Sequence, residues 1–239
     1  MTLRADAVLF DKDGTLFDFG ATWDNWGKAT LHALAQGDPA RLRALAEASR
    51  YDLARETFLP DSPVVAGTNR ETAECFASAL PGRSADEIEH HLLGTAGGAP
   101  LVETVPLRDF LAGLDAAGIT LGVMTNDAET AARVHLRKVG VEGAFAFIAG
   151  FDSGHGAKPD PAPLLAFAAA TGIAPARIVM VGDSPHDLVA GRAAGMQTVG
   201  VLTGPMPAAR LTPHADAVLP DIGHLPDWLG GGAGLFPEN

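Results

Sequence analysis

Apolar residues along this chain fall into two rhythms. Short strand-type runs lie at Ala7–Phe10, Thr120–Met124, Ala146–Ala149, Ile178–Val181 and Thr198–Leu202, with a weaker one at Ala217–Leu219. Runs of this length that stop at polar or glycine residues predict strands buried on both faces, as in a parallel sheet. From Val102 onward, helical spacing separates them, at about Leu107–Ala117, Ala128–Val139, Pro161–Thr171 and Leu188–Ala194. Strands alternating with helices predict an α/β fold, a doubly wound (Rossmann-like) parallel sheet.

Between the first strand and the rest, the rhythm is helical throughout. Trp23, Trp26, Leu31 and Leu34 recur at steps of three to five residues, and Leu42, Leu45, Leu53 and Phe58 continue on a second segment. Pro60, Pro63 and Gly67 break the pattern before a third segment near Glu71–Leu80 and a fourth near Ser84–Leu93. Ser84-Ala85-Asp86-Glu87 has the form of a capping box. The small residues of Gly94–Pro100 read as a hinge or linker. A helical block placed here is expected to be an inserted lid over the mouth of the first strand. The predicted division is a core of residues 1–20 and 99–239 and a helical cap of residues 21–98. The only low-complexity stretch is the glycine-rich tail at Gly230–Gly234.

Composition narrows the partners. With 47% hydrophobic and 19% charged residues in 239, the chain has ample material for a packed interior. A formal net charge of -12 without a basic stripe argues against nucleic acid or an anionic membrane as partner. A small anion remains admissible where a metal and a few cations reverse the local field. Cys75 is the only cysteine, so no internal disulfide can form. The N-terminus lacks the pattern of a signal peptide, and no apolar run approaches membrane-spanning length. A soluble cytoplasmic location is expected.

The candidate chemistry sits at strand ends. After Phe10 come Asp11-Lys12-Asp13-Gly14-Thr15, with Asp11 at the C-terminal mouth of a strand, where open α/β sheets bind ligands. Gly14 permits the turn that folds Asp13 back towards Asp11. Crowded carboxylates need a cation or a shared proton. The pair is therefore a metal site, an acid/base pair, or both. At the next strand end, the Thr125 hydroxyl and the Asn126 backbone N–H form a cradle for a phosphoryl oxygen, ahead of a helix that Asp127 could cap; a plain helix start has the same appearance. Lys158 precedes Pro159, which favours an extended backbone, and Asp160 and Pro161 open a helix behind it. Asp183 emerges at a further strand tip, and Ser184, Pro185 and Asp187 form a helix start. A third carboxylate at the same mouth makes an oxygen-rich site suited to Mg²⁺.

Taken in order, Asp11-Lys12-Asp13-Gly14-Thr15, Thr125-Asn126, Lys158 and Gly182-Asp183-Ser184-Pro185-His186-Asp187 resemble the four motifs of the haloacid-dehalogenase-type phosphohydrolase superfamily, and the helical block occupies the place of its cap. Among capped members the layout is most similar to phosphoglycolate phosphatases. The resemblance implies an Mg²⁺-dependent phosphomonoester hydrolase acting through an aspartyl-phosphate. Asp11 is then the nucleophile and Asp13 the general acid and base. Lys158 balances charge beside Asp11 and the phosphoryl group, and Thr125 and Asn126 bind phosphoryl oxygens. Mg²⁺ is implied to sit on Asp11, the backbone carbonyl of Asp13 and Asp183, with Asp187 supporting from behind. Lys12 departs from the apolar residue common between the two aspartates; pleating aims it away from Asp11, and it is expected to pair with nearby carboxylates without a catalytic role.

The cap is less informative. Trp23 and Trp26 share a helix face, where core packing is the default reading and gating of the site the sharper one. Arg50, Arg55, Arg70 and Arg83 are candidates to meet a second anionic group, with the Gly67-Thr68-Asn69-Arg70 turn the best placed. Adjacent His90 and His91 point apart and make a poor metal site. Lys28, the only lysine in the cap, gives little support to a Schiff-base role. A phosphosugar mutase shares all four motifs, a catalytically silent metal-binding relative is the non-enzymatic alternative, and a dehalogenase is disfavoured because a halide needs no proton from Asp13.

Overall fold

A computed structural model describes residues 3–231. The opening strand β1 (Ala7–Phe10) is followed by a π-helical turn at Gly20–Asp24, α1 (Asn25–Ala35) and α2 (Pro39–Ser49). A small hairpin of β2 (Tyr51–Asp52) and β3 (Thr57–Phe58) leads to the single turn α3 (Pro63–Ala66), then α4 (Asn69–Ser78) and α5 (Ala85–Ala96). The remainder alternates: α6 (Leu107–Ala116), β4 (Thr120–Met124), α7 (Glu129–Lys138), β5 (Phe147–Ala149), α8 (Ala162–Thr171), β6 (Ile178–Gly182), α9 (Pro185–Ala193) and β7 (Gln197–Val201). The chain ends its alternation with α10 (Ala208–Leu211), β8 (Ala217–Leu219) and α11 (Leu225–Leu229). Residues 232–234 of the glycine-rich tail lie outside the described residues.

Six parallel strands form one sheet in the order β5-β4-β1-β6-β7-β8. The order reverses direction at β1, whose C-terminal end is therefore the switch point where such sheets open a crevice. Phe10 stands opposite Val123 of β4 and Val181 of β6, so three strand tips come level there. Every residue of β1 is fully buried, because alternate side chains enter different cores. Val8 and Phe10 pack with α6, α7 and α11, while Ala7 and Leu9 pack with α8 and α9. Phe10 meets Phe110 edge-on, with ring centroids 6.1 Å apart. The doubly wound sheet with its inserted helical cap is thus the observed architecture.

The helical block keeps a hydrophobic cluster of its own, from Phe19 to Ala99, including Trp26, Leu31, Leu45, Phe76, Ile88 and Leu92. The predicted α5 start is present: Ser84 and Glu87 exchange hydrogen bonds as a capping box, and Thr68 and Glu71 do the same for α4. Two expectations are corrected. The second helical segment does not run through Leu53 and Phe58. Arg50 takes a left-handed φ of 56° that ends α2, the Asp52 carboxylate accepts from the N–H groups of Ala54 and Arg55, and the chain turns into the hairpin. Leu53 is left 38% exposed while Phe58 is buried against Tyr51. The Gly94–Pro100 stretch is not linker from its start either, since α5 continues through Gly94 to Ala96. Among the described residues, no helix is long and apolar enough to cross a membrane.

Removing a large buried ring should cost both transfer energy and a cavity. Phe10→Ala is expected to lower stability by about 3–5 kcal/mol; a loss under about 1 kcal/mol in urea unfolding would show that the sheet does not depend on this contact.

Candidate active site

The parallel register places the polar residues that follow β1, β4 and β6 side by side, and the loop before α8 joins them. Lys158 is the connector. Its buried Nζ donates to Asp11 Oδ1 at 2.6 Å and to the Met124 carbonyl at 2.8 Å, and lies 2.6 Å from Asp187 Oδ1. Asp11, Asp183 and Asp187 are all buried, with one carboxylate oxygen of each within 4.8 Å of the others. Segments as distant in sequence as Asp11 and Lys158 therefore meet in one mouth.

Local bonding fixes each group. Asn126 clamps the lysine loop: its Nδ2 donates to the Lys158 carbonyl at 2.8 Å and its Oδ1 accepts from the Lys158 N–H at 2.9 Å. The sequence pointed only to the backbone N–H of Asn126. Thr125 Oγ1 accepts from the Asp127 N–H at 3.0 Å, so its own proton is left to donate. Asp187 Oδ2 accepts from the Ser184 N–H and hydroxyl at 3.0 and 2.7 Å. With its other oxygen on Lys158, Asp187 is engaged on both sides. Gly14 holds a φ of 76°, and a Cβ there would run into the Asp183 carboxylate, so both turn and close approach require glycine. Asp127 is a correction. It does not cap α7; the N–H of Glu129 is taken by Asp152 at 2.9 Å, and Asp127 Oδ2 turns to Lys12 at 3.2 Å.

Burial dominates the electrostatics. It pushes the Asp11 carboxyl up to about 7, against the pull of Lys158 and with a further push from Asp187 and Asp13. Burial, with Asp11 and Asp187 nearby, raises Asp183 well above the usual carboxylate range. Lys158 is held above the ordinary lysine value, because the charges of Asp11 and Asp187 outweigh its own desolvation. Lys158 serves two of these carboxylates, and among the described residues no cation pairs with Asp183. A buried, hard-oxygen cluster short of positive charge is the donor set expected for Mg²⁺ or a similar divalent ion.

The cluster opens into a cavity lined on the core side also by Asp13, Thr125, Asn126 and His186. The cap side is mostly apolar, with Phe19, Trp23, Trp26, Val64 and Val65. Trp23 and Trp26 pack edge-on at 5.1 Å within the cap cluster, as the default reading expects, and they also line the cavity. Gly67 and Asn69 line the cavity, but Arg70 does not. Its side chain is 43% exposed and pairs with Glu74, Asp86 and Glu89, because the next position on a helix points about 100° away. Arg50, Arg55 and Arg83 pair with Asp61, Asp52 and Glu87, and Lys28 pairs with Glu56. His90 and His91 belong to no metal-capable group among the described residues. Lys12 pairs with carboxylates as expected, yet through a partner the sequence did not signal, His135 Nδ1 at 3.0 Å. Nothing in the spacing of Lys12 and His135 could have revealed that contact.

Raised carboxyls make the ion-free protein sensitive to alkali. Asp11 is held at about 7 in the folded chain against 3.8 unfolded, so the folded state binds more protons between those values. The contribution of Asp11 to stability should therefore be fully present below about pH 4 and be lost as pH rises through about 7, with a divalent cation restoring it. Melting temperatures measured in chelator and in Mg²⁺ check this; a flat profile indifferent to the ion would contradict it.

Comparison with known proteins agrees with this geometry. The family model for haloacid dehalogenase-like hydrolases matches residues 5–195. A phosphoglycolate phosphatase of Rhodospirillum rubrum is 31% identical over 232 residues, covering 97% of this chain and 92% of that protein. An N-acetylmuramic acid 6-phosphate phosphatase of Pseudomonas aeruginosa is 29% identical over 207 residues, 84% of each chain. A crystal structure of a haloacid dehalogenase-like hydrolase from Bacteroides fragilis superimposes with a TM-score of 0.72 at 18% identity, covering 92% of this chain and 99% of the other. That last likeness speaks to the fold alone. With the family model spanning most of the chain and a relative above 30% identity along nearly all of it, the protein belongs to the haloacid dehalogenase-like hydrolases.

Proposed function

We propose that this chain is an Mg²⁺-dependent phosphomonoester hydrolase acting on a small phosphorylated metabolite, with residues 1–20 and 99–239 as catalytic core and 21–98 as the cap that selects substrate. The observation that carries the reading is Lys158 joined to both Asp11 and Asp187 beside an Asp183 that pairs with no cation among the described residues. In this reading Asp11, Asp183 and the backbone carbonyl of Asp13 would hold the ion, with Asp187 bracing them from behind. The ion supplies the positive charge that lets a carboxylate approach a phosphate.

Asp11 attacks phosphorus through its carboxylate, forming the aspartyl-phosphate as the bond to the leaving oxygen breaks. Asp13 gives that oxygen a proton, so an alcohol departs. Asp13 then takes a proton from the water that cleaves the aspartyl-phosphate, returning Asp11 and releasing phosphate. Lys158 offsets charge on Asp11 and the transferring oxygens. The Thr125 hydroxyl and the Asn126 N–H donate to the remaining oxygens, so catalysis is chiefly positioning and electrostatic stabilisation. Asn126 contributes further by fixing the lysine loop.

The name of the Rhodospirillum rubrum relative makes 2-phosphoglycolate a natural candidate. The cap-facing wall favours a leaving group without a second charge. Its polar members are Asn69 and Thr72, and among the described residues no arginine or lysine of the cap lines the cavity. The remaining wall is aromatic and aliphatic, suited to carbon-bound faces of an uncharged alcohol.

Two outcomes follow. Asp11→Asn is expected to abolish phosphate release while circular dichroism shows a folded protein; turnover near that of the unmodified chain excludes Asp11 as nucleophile. In a panel of phosphomonoesters with and without Mg²⁺, 2-hydroxyethyl phosphate is expected to give a kcat/KM at least equal to that of 2-phosphoglycolate. Strong preference for 2-phosphoglycolate would reverse the assignment of the wall, and isomerised sugar phosphate in place of released phosphate would point to a mutase.

A further inference from the structure

We propose that Lys12 is a positioning residue: it aims Asp13 into the cavity and makes that aim depend on the cap being closed. The proposal rests on the phosphatase reading for the role of Asp13. A fully buried ammonium is costly unless every proton finds a partner. Lys12 has no exposure, and its Nζ is hydrogen-bonded to Asp13 and His135 and ion-paired with Asp127. It straddles the Asp13 carboxylate, 2.9 Å from Oδ1 and 2.8 Å from Oδ2. It stands 3.2 Å from Asp127 Oδ2 and 3.0 Å from His135 Nδ1. Asp13 is thereby held from behind while its carboxylate stays in the cavity lining.

Each of the other contacts leads to the cap. An ammonium only donates, so Nδ1 of His135 accepts and the ring proton sits on Nε2, which donates to the Ala96 carbonyl of α5 at 3.1 Å. Burial, reinforced by the Lys12 charge, holds His135 below the usual imidazole range, in keeping with that neutral tautomer. Asp127 Oδ1 accepts from Asn69 Nδ2 of α4 at 3.2 Å. The Trp23 ring lies over the ammonium, with its centroid 5.4 Å away. Three separate cap elements thus touch the shell around one core lysine. When the cap lifts, the shell loosens and Asp13 loses its fixed orientation; when it closes over substrate, the proton donor is set.

A general acid matters most when the leaving group is a poor one. Lys12→Met keeps the length and removes the charge. Its kcat/KM should fall about 100-fold for an alkyl phosphate and less than about 10-fold for p-nitrophenyl phosphate, whose anion departs without a proton. Asn69→Ala, which cuts one cap link and leaves Lys12 in place, should show the same bias at several-fold. The ratio kcat/KM reports steps up to departure of the alcohol, so later use of Asp13 as base does not enter. Equal losses for both esters in the two variants would overturn the proposal and leave Lys12 as packing alone. Should Lys12→Met fail to fold, Asn69→Ala decides by the same ratio. Hydrolysis of neither ester by the unmodified protein would instead overturn the phosphatase reading.

Discussion

Crowding of carboxylates at the mouth of β1 is the constraint around which the molecule is arranged. Asp11, Asp183 and Asp187 are buried together, and such a group is unstable unless positive charge reaches it. Lys158 answers for two of the three, bonded also to the Met124 carbonyl and clamped through its own backbone by Asn126. Asp183 has no ion pair among the described residues, and burial drives its carboxyl upward against the charge of Lys158. The same imbalance that costs stability in the chain by itself makes the cluster a donor set suited to a divalent cation.

The sheet supplies the rigidity this requires. β1 is central, fully buried and hydrogen-bonded on both sides, so its tip cannot shift without disturbing two neighbours. Gly14 and Gly204 remove the side chains that would collide with Asp183. Functional groups anchored to strand ends in this way are held far more firmly than groups on free loops.

Across the cavity the cap contributes shape more than charge. Arg50, Arg55, Arg70, Arg83 and Lys28 are spent on surface pairs, which are worth little each but keep these cations away from the cavity. Its aromatic face meets the core through Trp23, which both lines the cavity and covers Lys12. The cavity wall and the cover over the buried Lys12 ammonium therefore share one side chain.

Local rhythm was enough to place the strands, most helices, the inserted cap and the strand-tip residues Asp11, Thr125 and Asp183, because buried parallel strands and capping residues leave their mark within a few positions. Lys158, in the loop before α8, stood out only through its place in the order of motifs. Helix phase misled at Leu53 and Phe58, where one left-handed residue, Arg50, reset the chain direction. The outward aim of Arg70, the clamp by Asn126, and the enclosure of Lys12 by Asp127 and His135 are decided by tertiary structure. Their partners lie tens of residues away and follow no period, so only the packing of the cap on the sheet brings them within hydrogen-bond reach.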